Sequence, residues 1–193
     1  MKIGITGSIA CGKSTVSKYL ILKGYNVYDA DKISYDLTQK PNICYKLILE
    51  KVGSEFPESI IDESGNINRK ELGRVIFNNK DKKELLESII HPYVIKEIES
   101  VNDDVCFFEV PLLFEANLEY LFDKVVVVST SKEKQIERLM KRNNISYEDC
   151  IIRINNQIDI KIKEEKADYV LYNNDDDIYK LYNQIDEFLK GIK

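Results

Sequence analysis

The feature that most constrains this chain is a glycine-rich segment near its beginning, Gly7-Ser8-Ile9-Ala10-Cys11-Gly12-Lys13-Ser14. It fits G-x-x-x-x-G-K-[ST] at every fixed position, follows the apolar run Lys2–Thr6, and precedes apolar residues at helical spacing. Glycines allow the main chain to approach a ligand closely, so N–H groups of such a loop can surround phosphates. The sequence therefore predicts a strand, a phosphate loop (Gly7–Ser14) and a helix whose N-terminus adds further donors.

The side chains of the phosphate loop are suited to binding a nucleoside triphosphate. Lys13 can reach the β- and γ-phosphates, and the Ser14 hydroxyl can bind Mg²⁺. Because Cys11 lies near Lys13 and a helix N-terminus, we also predict a lowered thiol pKa and reactivity toward alkylation. The predicted ATP-binding residues of this segment are Gly7, Ala10, Cys11, Gly12, Lys13, Ser14 and Thr15.

Short apolar runs alternate with helical patterns along the chain, which is typical of a parallel sheet with crossover helices. We predict an α/β, three-layer P-loop NTPase fold in a single domain. Its core comprises residues 1–32, 102–131 and 167–193, and its insertions are a helical region, residues 33–101, and a charged helix pair, residues 132–166. The five predicted strands are Lys2–Thr6, Asn26–Tyr28, Val105–Val110, Val125–Ser129 and Asp168–Tyr172.

Polar residues mark several helix starts and interruptions. An interruption is predicted at His91-Pro92, because proline lacks an N–H group and clashes with the preceding turn. Four residue pairs resemble capping boxes that begin helices. These pairs are Asn68 with Glu71, Asp81 with Glu84, Thr130 with Glu133, and Ser146 with Asp149.

Composition excludes several kinds of partner. A net charge of −5 argues against a broad nucleic-acid surface, and the longest apolar runs are too short to span a bilayer. The phosphate loop comes too early to leave room for a signal segment. Four scattered cysteines and one histidine argue against zinc and favour free thiols. We expect a cytoplasmic protein, a monomer or weak homo-oligomer, with no nucleic-acid or membrane partner.

Carboxylates follow two of the predicted strands. Asp29 and Asp31 come after the second strand, where carboxyl ends of parallel strands converge on a ligand crevice. An aspartate there could orient a hydroxyl or accept its proton, or could form an Asx turn or helix cap. Glu109 interrupts an apolar strand, so it could lie near Mg²⁺ or pair with a lysine or arginine.

Arginines recur at helical spacing in the second insertion. Arg138 and Arg142 are i,i+4 neighbours, and Arg153 with Gln157 repeats that spacing. Such arginines could neutralise charge on a transferred phosphoryl group or could form a solvated face. A GTPase reading rests on Asp62-Glu63-Ser64-Gly65, which fits D-x-x-G but is better interpreted as a polar turn.

Together these motifs resemble the dephospho-CoA kinases, in order and over nearly the whole chain. Asn68 departs from the family, which usually has aspartate there, and Ser8 replaces a common glycine. The matching residues are Ile3–Ser14, Asp29-Ala30-Asp31, Asn68-Arg69, Leu72, Val75-Ile76-Phe77, His91-Pro92, Pro111-Leu112-Leu113-Phe114-Glu115, Gln135, Arg138, Arg142, Arg153, Gln157, Ala167-Asp168-Tyr169 and Asn173.

The resemblance implies ATP-dependent phosphorylation of the ribose 3′-hydroxyl of dephospho-CoA, the last step of coenzyme A synthesis. It implies that Asp31 is the base or orienting carboxylate, with Lys13 and Arg138 stabilising the phosphoryl group. Residues 33–101 would bind the acceptor, and residues 132–166 would form a lid over ATP. The resemblance also implies that Arg69 and His91 contact the acceptor and that Asn173 lies by the adenine of ATP. From the residues themselves we add Arg142 as an ATP contact, Asp29 as an acceptor contact, and Ser14 and Glu109 as candidate Mg²⁺ ligands.

Two alternatives stay open from the sequence. One is a P-loop kinase of another small acceptor, such as a nucleoside or nucleoside monophosphate. The other is a non-catalytic regulator that binds a nucleotide, because a phosphate loop alone establishes binding and not transfer.

Overall fold

A five-stranded parallel sheet organises this computed structural model, which describes residues 1–192. The strand order is β2-β3-β1-β4-β5, and every neighbouring pair is parallel. The fold class and all five predicted strands are confirmed, with small shifts at their ends. The strands are β1 (Lys2–Gly7), β2 (Asn26–Asp29), β3 (Cys106–Glu109), β4 (Lys124–Ser129) and β5 (Tyr169–Tyr172).

The sheet buries apolar residues on both faces. On one face, Ile3 and Ile5 of β1 belong to a buried cluster with side chains of α1 (Lys13–Leu22) and α9 (Ile178–Lys190). On the other face Gly4 is approached so closely that a Cβ atom there would lie 2.7 Å from Leu113. Burial on both faces explains why the strands are continuous apolar runs and not alternating ones.

Within residues 1–192 the chain divides into two compact units. The first contains Met1–Asp29 and the described residues from Asp103 onward, and the second contains Ala30–Asn102. The predicted acceptor-binding region, residues 33–101, falls inside the second unit, and its role stays a prediction. Helices of the second unit are α2 (Ala30–Leu37), α3 (Ile43–Leu49), α4 (Arg69–Phe77) and α5 (Lys80–Ser100), with a 3-10 turn at Glu58–Ile60.

The second unit has its own apolar core. Buried Tyr45 and Ile48 of α3 pack with Phe56, Leu72 and Leu86. The D-x-x-G string is a turn, as predicted. The Asp62 carboxylate accepts hydrogen bonds from the N–H groups of Ser64 (2.9 Å) and Asn66 (2.8 Å).

Two of the four predicted caps are confirmed. Asn68 accepts from the Glu71 N–H at 3.3 Å, and Ser146 accepts from the Asp149 N–H at 3.1 Å. Each begins a helix, α4 and α7 (Tyr147–Asn155) respectively. At these two helices, a polar side chain directly before an amphipathic run marks the helix start correctly.

The other two predicted caps are wrong. Asn79, not Asp81, caps α5 by accepting from the Lys82 N–H at 3.0 Å. Ser131, not Thr130, caps α6 (Lys132–Asn143), because the Thr130 hydroxyl instead donates to the Asn173 carbonyl at 2.7 Å. In both places several polar residues lie close together, and the residues that cap, Asn79 and Ser131, have extended backbone angles.

The predicted interruption at His91-Pro92 is also wrong, because α5 runs through Pro92 without a break. Proline inside a helix costs about 3 kcal/mol. Each fully buried aliphatic side chain contributes about 1.5–3 kcal/mol, and α5 buries Leu86 before the proline and Val94 and Ile98 after it. Packing on both sides therefore outweighs the cost of the proline.

The predicted lid, residues 132–166, is called the lid segment below, and its role as a lid stays a prediction. It contains three helices and not a pair, namely α6, α7 and α8 (Ile160–Lys166). Asp159 begins α8 by accepting from the Lys161 N–H at 2.8 Å. A 3-10 turn at Glu119–Leu121 precedes β4. No helix within residues 1–192 is both long and apolar enough to cross a membrane.

Candidate active site

The phosphate loop connects the end of β1 to the start of α1, as its motif predicts. Gly7 has φ +149° and Gly12 has φ +100°, where L side chains are strained. A Cβ atom at Gly7 would lie 2.2 Å from the Val128 carbonyl oxygen. One at Gly12 would lie 2.2 Å from Asn173 Nδ2. Both glycines are therefore required by the close packing of the loop against β4 and the end of β5.

A cavity of about 410 Å³, which we call the phosphate cavity, opens at the beginning of α1. Lys13 lies at its edge, and its ammonium group donates to the carbonyls of Gly7 (3.2 Å) and Ser8 (3.0 Å). The structure thus brings together charged and polar side chains from the loop, β3 and α6. The lining residues are Ala10, Gly12, Lys13, Ser14, Glu109, Arg138, Lys141 and Arg142.

Beside it lies a second cavity of about 260 Å³, the Asn173 cavity, which is lined by Gly12, Thr15, Arg138, Asn173, Asp175, Asp176 and Ile178. Asn173 joins β5 to the phosphate loop, because its Nδ2 donates to the Cys11 carbonyl at 2.8 Å. Arg138 lines both cavities. Its Nη2 donates to the Asn173 carbonyl at 3.1 Å, while its Nη1 is buried without a hydrogen-bond partner among the described residues. That open donor fits a ligand oxygen.

Glu109 has a neutral partner. The Ser17 hydroxyl of α1 donates to Glu109 Oε2 at 2.6 Å. Glu109 also lines the phosphate cavity with Lys13 and Ser14. The Ser17 hydroxyl therefore helps to hold the Glu109 carboxylate in place at the phosphate cavity.

Cys11 differs from its prediction. Its side chain is 0% exposed, and burial raises the pKa of its thiol more strongly than Lys13, 3.8 Å from Sγ, lowers it. The sequence argument counted the nearby positive charge but could not see the loss of water. The prediction of a lowered thiol pKa is wrong, and the reactivity predicted from it stays a prediction.

The predicted acceptor residues lie on different elements. Asp29 ends β2, in register with Glu109 of β3, and Asp31 is the second residue of α2. Arg69 begins α4, where it stacks 3.9 Å from the Tyr35 ring and donates to the Tyr35 carbonyl at 3.0 Å and to the Thr38 hydroxyl. Burial lowers the pKa of Arg69. His91 is half-buried in α5.

Sequence reasoning gave no role to several residues of the site. Gln135 and Gln157 both hydrogen-bond to Ile9 in the phosphate loop. Lys141 lines the phosphate cavity, one turn after Arg138. Lys141 follows Arg138 at helical spacing, so the sequence could have predicted that both side chains face the same cavity. Nothing in the sequence indicates that the two glutamines contact Ile9.

The model of the family described as "Dephospho-CoA kinase" matches residues 1–178 of the chain. The chain belongs to the dephospho-CoA kinase family. A dephospho-CoA kinase of Fusobacterium nucleatum is 43% identical over 100% of this chain and 98% of its own length. One of Listeria innocua is 39% identical over 97% of this chain and 95% of its own length.

Solved structures agree with the family. A dephospho-CoA kinase from Campylobacter jejuni has a TM-score of 0.70 at 30% identity, covering 100% of this chain and 98% of that one. A shikimate kinase from Acinetobacter baumannii has a TM-score of 0.56 at 19% identity, covering 99% and 92%, and shares the fold alone. As a dephospho-CoA kinase, the chain is an enzyme, an ATP-dependent kinase of coenzyme A biosynthesis.

Proposed function

We propose that this chain transfers the γ-phosphate of ATP to the ribose 3′-hydroxyl of dephospho-CoA, with the phosphate loop holding the triphosphate. The observation that carries this proposal is the convergence of Lys13, Arg138, Lys141 and Arg142 on one cavity beside the loop, in a member of this family. Four positive side chains at a helix N-terminus form a local anion site in a chain whose net charge is −5.

In this proposal the two cavities bind different parts of ATP. The phosphate cavity would take the triphosphate, with loop N–H groups and Lys13 on its β- and γ-phosphates. The adenosine would extend into the Asn173 cavity. Arg138 lines both cavities and carries a buried N–H donor that has no partner within residues 1–192, and a phosphate oxygen would satisfy it.

Ser14 and Glu109 fit a magnesium ion that enters with ATP. Within residues 1–192 no three carboxylate, histidine or cysteine side chains form a metal cage. Mg²⁺ usually binds one or two protein oxygens and completes its shell with water and phosphate, so a hydroxyl and one carboxylate suffice. When bound, the ion would neutralise charge on the β- and γ-phosphates.

Asp31 is the proposed orienting carboxylate and base. It would accept the proton of the 3′-hydroxyl as that oxygen attacks the γ-phosphorus in line. The bond from the γ-phosphorus to the bridging oxygen breaks, and ADP leaves. Lys13 and Arg138 stabilise the charge that spreads over the transferred group, with no covalent enzyme intermediate. Asp29, Arg69 and His91 are the proposed acceptor contacts.

The lid segment would close over ATP and exclude water, which limits hydrolysis. We place the reaction in the cytoplasm, with the chain acting as a monomer or weak homo-oligomer. The second alternative from the sequence, a non-catalytic regulator, predicts nucleotide binding without turnover.

Product analysis tests the proposal directly. The enzyme is mixed with Mg-ATP and dephospho-CoA, and the expected products are coenzyme A and ADP in equal amounts. AMP and uridine serve as competing acceptors in parallel reactions. Turnover with either of them, and none with dephospho-CoA, would contradict the proposed acceptor.

A further inference from the structure

Two glutamines of the lid segment hold Ile9 of the phosphate loop on both sides. Gln157 Oε1 accepts from the Ile9 N–H at 2.7 Å, and Gln135 Nε2 donates to the Ile9 carbonyl at 3.1 Å. The next residue, Ala10, has φ +60°, which is unfavourable for a residue with a Cβ atom. These two hydrogen bonds therefore fix the peptide groups on either side of Ile9, and the second of these groups leads into the strained residue Ala10.

A buried ion pair fixes the chain next to Gln157. The Lys163 ammonium lies 2.7 Å from Glu115 Oε1, and the same oxygen accepts from the Ile158 N–H at 3.1 Å. The Lys163 side chain is 0% exposed and that of Glu115 is 19% exposed. Because Ile158 directly follows Gln157, the carboxylate anchors the main chain from which the Gln157 side chain reaches the loop.

We propose that Glu115 and Lys163 are positioning residues for ATP binding, acting through Gln157 to hold the phosphate loop in the conformation that receives the triphosphate. The inference rests on the proposed role of the loop. The proposed path of contacts starts at Glu115, after β3, and Lys163 of α8. It continues through Ile158 and Gln157, between α7 and α8, and ends at Ile9 of the phosphate loop.

The chemistry of the pair supports positioning more than stability. Burying two charges costs most of what their attraction returns, so a well-packed apolar pair of similar size is often as stable. What the charges add is placement. Glu115 Oε1 accepts the Ile158 N–H and lies 2.7 Å from the Lys163 ammonium, which makes no hydrogen bond of its own among the described residues. The second oxygen, Glu115 Oε2, is buried without a hydrogen-bond partner in the described residues. Such an arrangement is expensive to keep for packing alone.

The test measures ATP affinity by calorimetry in the absence of acceptor, on the full chain. Gln157→Ala is expected to raise the Kd for ATP about fivefold to tenfold, the loss that one main-chain hydrogen bond represents. Replacing both charges, Glu115→Gln with Lys163→Met, is expected to raise it by a similar factor. The variant that combines all three substitutions should raise the Kd for ATP no more than the larger of the two separate effects, because both changes act on one path. The KM for dephospho-CoA should stay unchanged.

Gln184→Ala is the matched control. Gln184 accepts from the Tyr172 N–H and donates to the Tyr172 carbonyl, both at 2.9 Å. It therefore makes with one residue the same two main-chain hydrogen bonds that Gln135 and Gln157 together make with Ile9. Asn173 keeps its own main-chain bond to Ser129 at 2.8 Å. This variant should lower the melting temperature without changing the Kd for ATP.

Three results separate the possible failures. Lys13→Ala should weaken ATP binding. If it binds as tightly as the parent chain, the proposed phosphate site itself is wrong. If Lys13→Ala weakens binding and Gln157→Ala does not, or if the fold-changes of Gln157→Ala and the paired replacement multiply, the positioning path is overturned. Should the paired replacement not fold, Glu115→Asp with Gln157→Ala gives the same cycle, and multiplying effects again overturn the path.

Discussion

At the scale of the residue, close packing around Gly7 and Gly12 explains why the phosphate-loop motif needs glycine at both positions. Two features disfavour a Cβ atom at Gly12: the backbone has a φ of +100°, and the Cβ would lie 2.2 Å from Asn173 Nδ2. A side chain there would have to move Asn173 from the Cys11 carbonyl, and with it the link between β5 and the loop.

Gly12→Ala is therefore expected to raise the Kd for ATP at least tenfold, measured by calorimetry, because strain of about 1–2 kcal/mol adds to the clash. Gly73→Ala is its control. Gly73 lies within α4, and a Cβ atom there would meet no atom of the described part of the chain within 4 Å. This second variant should keep its ATP affinity and gain up to ~1 kcal/mol of stability. Equal ATP affinity in both variants would contradict the steric argument.

Asp31→Asn tests the proposed base. The amide keeps the size of the side chain but cannot accept the hydroxyl proton, so kcat should fall by about 10²–10⁴ while the Kd for ATP stays unchanged. Asp36→Asn provides the control, since Asp36 is an exposed carboxylate of the same helix. A kcat for Asp31→Asn equal to that of the control would remove Asp31 from the mechanism.

The raised pKa of Cys11 also leads to a measurable outcome. Iodoacetamide reacts with thiolates, and burial disfavours the thiolate form. Peptide mass spectrometry should show slow labelling of Cys11 in the folded chain, equally with and without ATP, and fast labelling after unfolding in urea. Fast labelling of the folded chain that ATP suppresses would restore the reactive thiol that the sequence suggested.

At the scale of the element, local signals succeed where one polar residue stands alone and fail where several compete. Ser146 was found from the sequence because it is followed directly by an amphipathic run. At the start of α5, Asn79 and Asp81 are both plausible caps, and only the backbone angles decide between them. Pro92 misled for a different reason, since the burial of Val94 and Ile98 is a tertiary effect that no local rule contains.

Alanine substitution at the start of α5 measures this difference. Asn79→Ala should cost about 1 kcal/mol in the free energy of unfolding, because it removes the hydrogen bond to the Lys82 N–H. Asp81→Ala removes only a charge in the first turn and should cost about 0.3–1 kcal/mol, at the lower end in high salt. Urea unfolding followed by circular dichroism gives both values. A larger loss for Asp81→Ala would mean that the cap is assigned to the wrong residue.

At the scale of the whole molecule, the fold and the phosphate loop were predictable from the sequence, and the long-range contacts between the loop and the lid segment were not. The phosphate loop is contiguous in sequence, so Lys13 and Ser14 follow from the motif. Gln157 and Lys163 lie about 150 residues from the loop, and their contacts exist only once the lid segment has folded. Long-range hydrogen bonds between polar side chains and main chain leave no periodic trace in a sequence.

Nucleotide binding should stabilise the molecule as a whole. A ligand at about one hundred times its Kd adds about 2.7 kcal/mol to the free energy of unfolding of the structure that binds it. For a chain of this size that corresponds to a rise of roughly 5–10 °C in melting temperature. Scanning fluorimetry with Mg-ATP measures the rise, and Lys13→Ala should reduce it. An equal rise in that variant would locate the nucleotide elsewhere.

All four cysteines, Cys11, Cys44, Cys106 and Cys150, are buried at 0% exposure. The proposed product ends in a thiol of its own, and thiols exchange with any disulfide or oxidised sulfur that they can reach. A catalyst with surface sulfur could become covalently attached to what it makes whenever the surroundings turn oxidising. With all four cysteine side chains buried, the described residues present no exposed thiol with which such a product could form a disulfide.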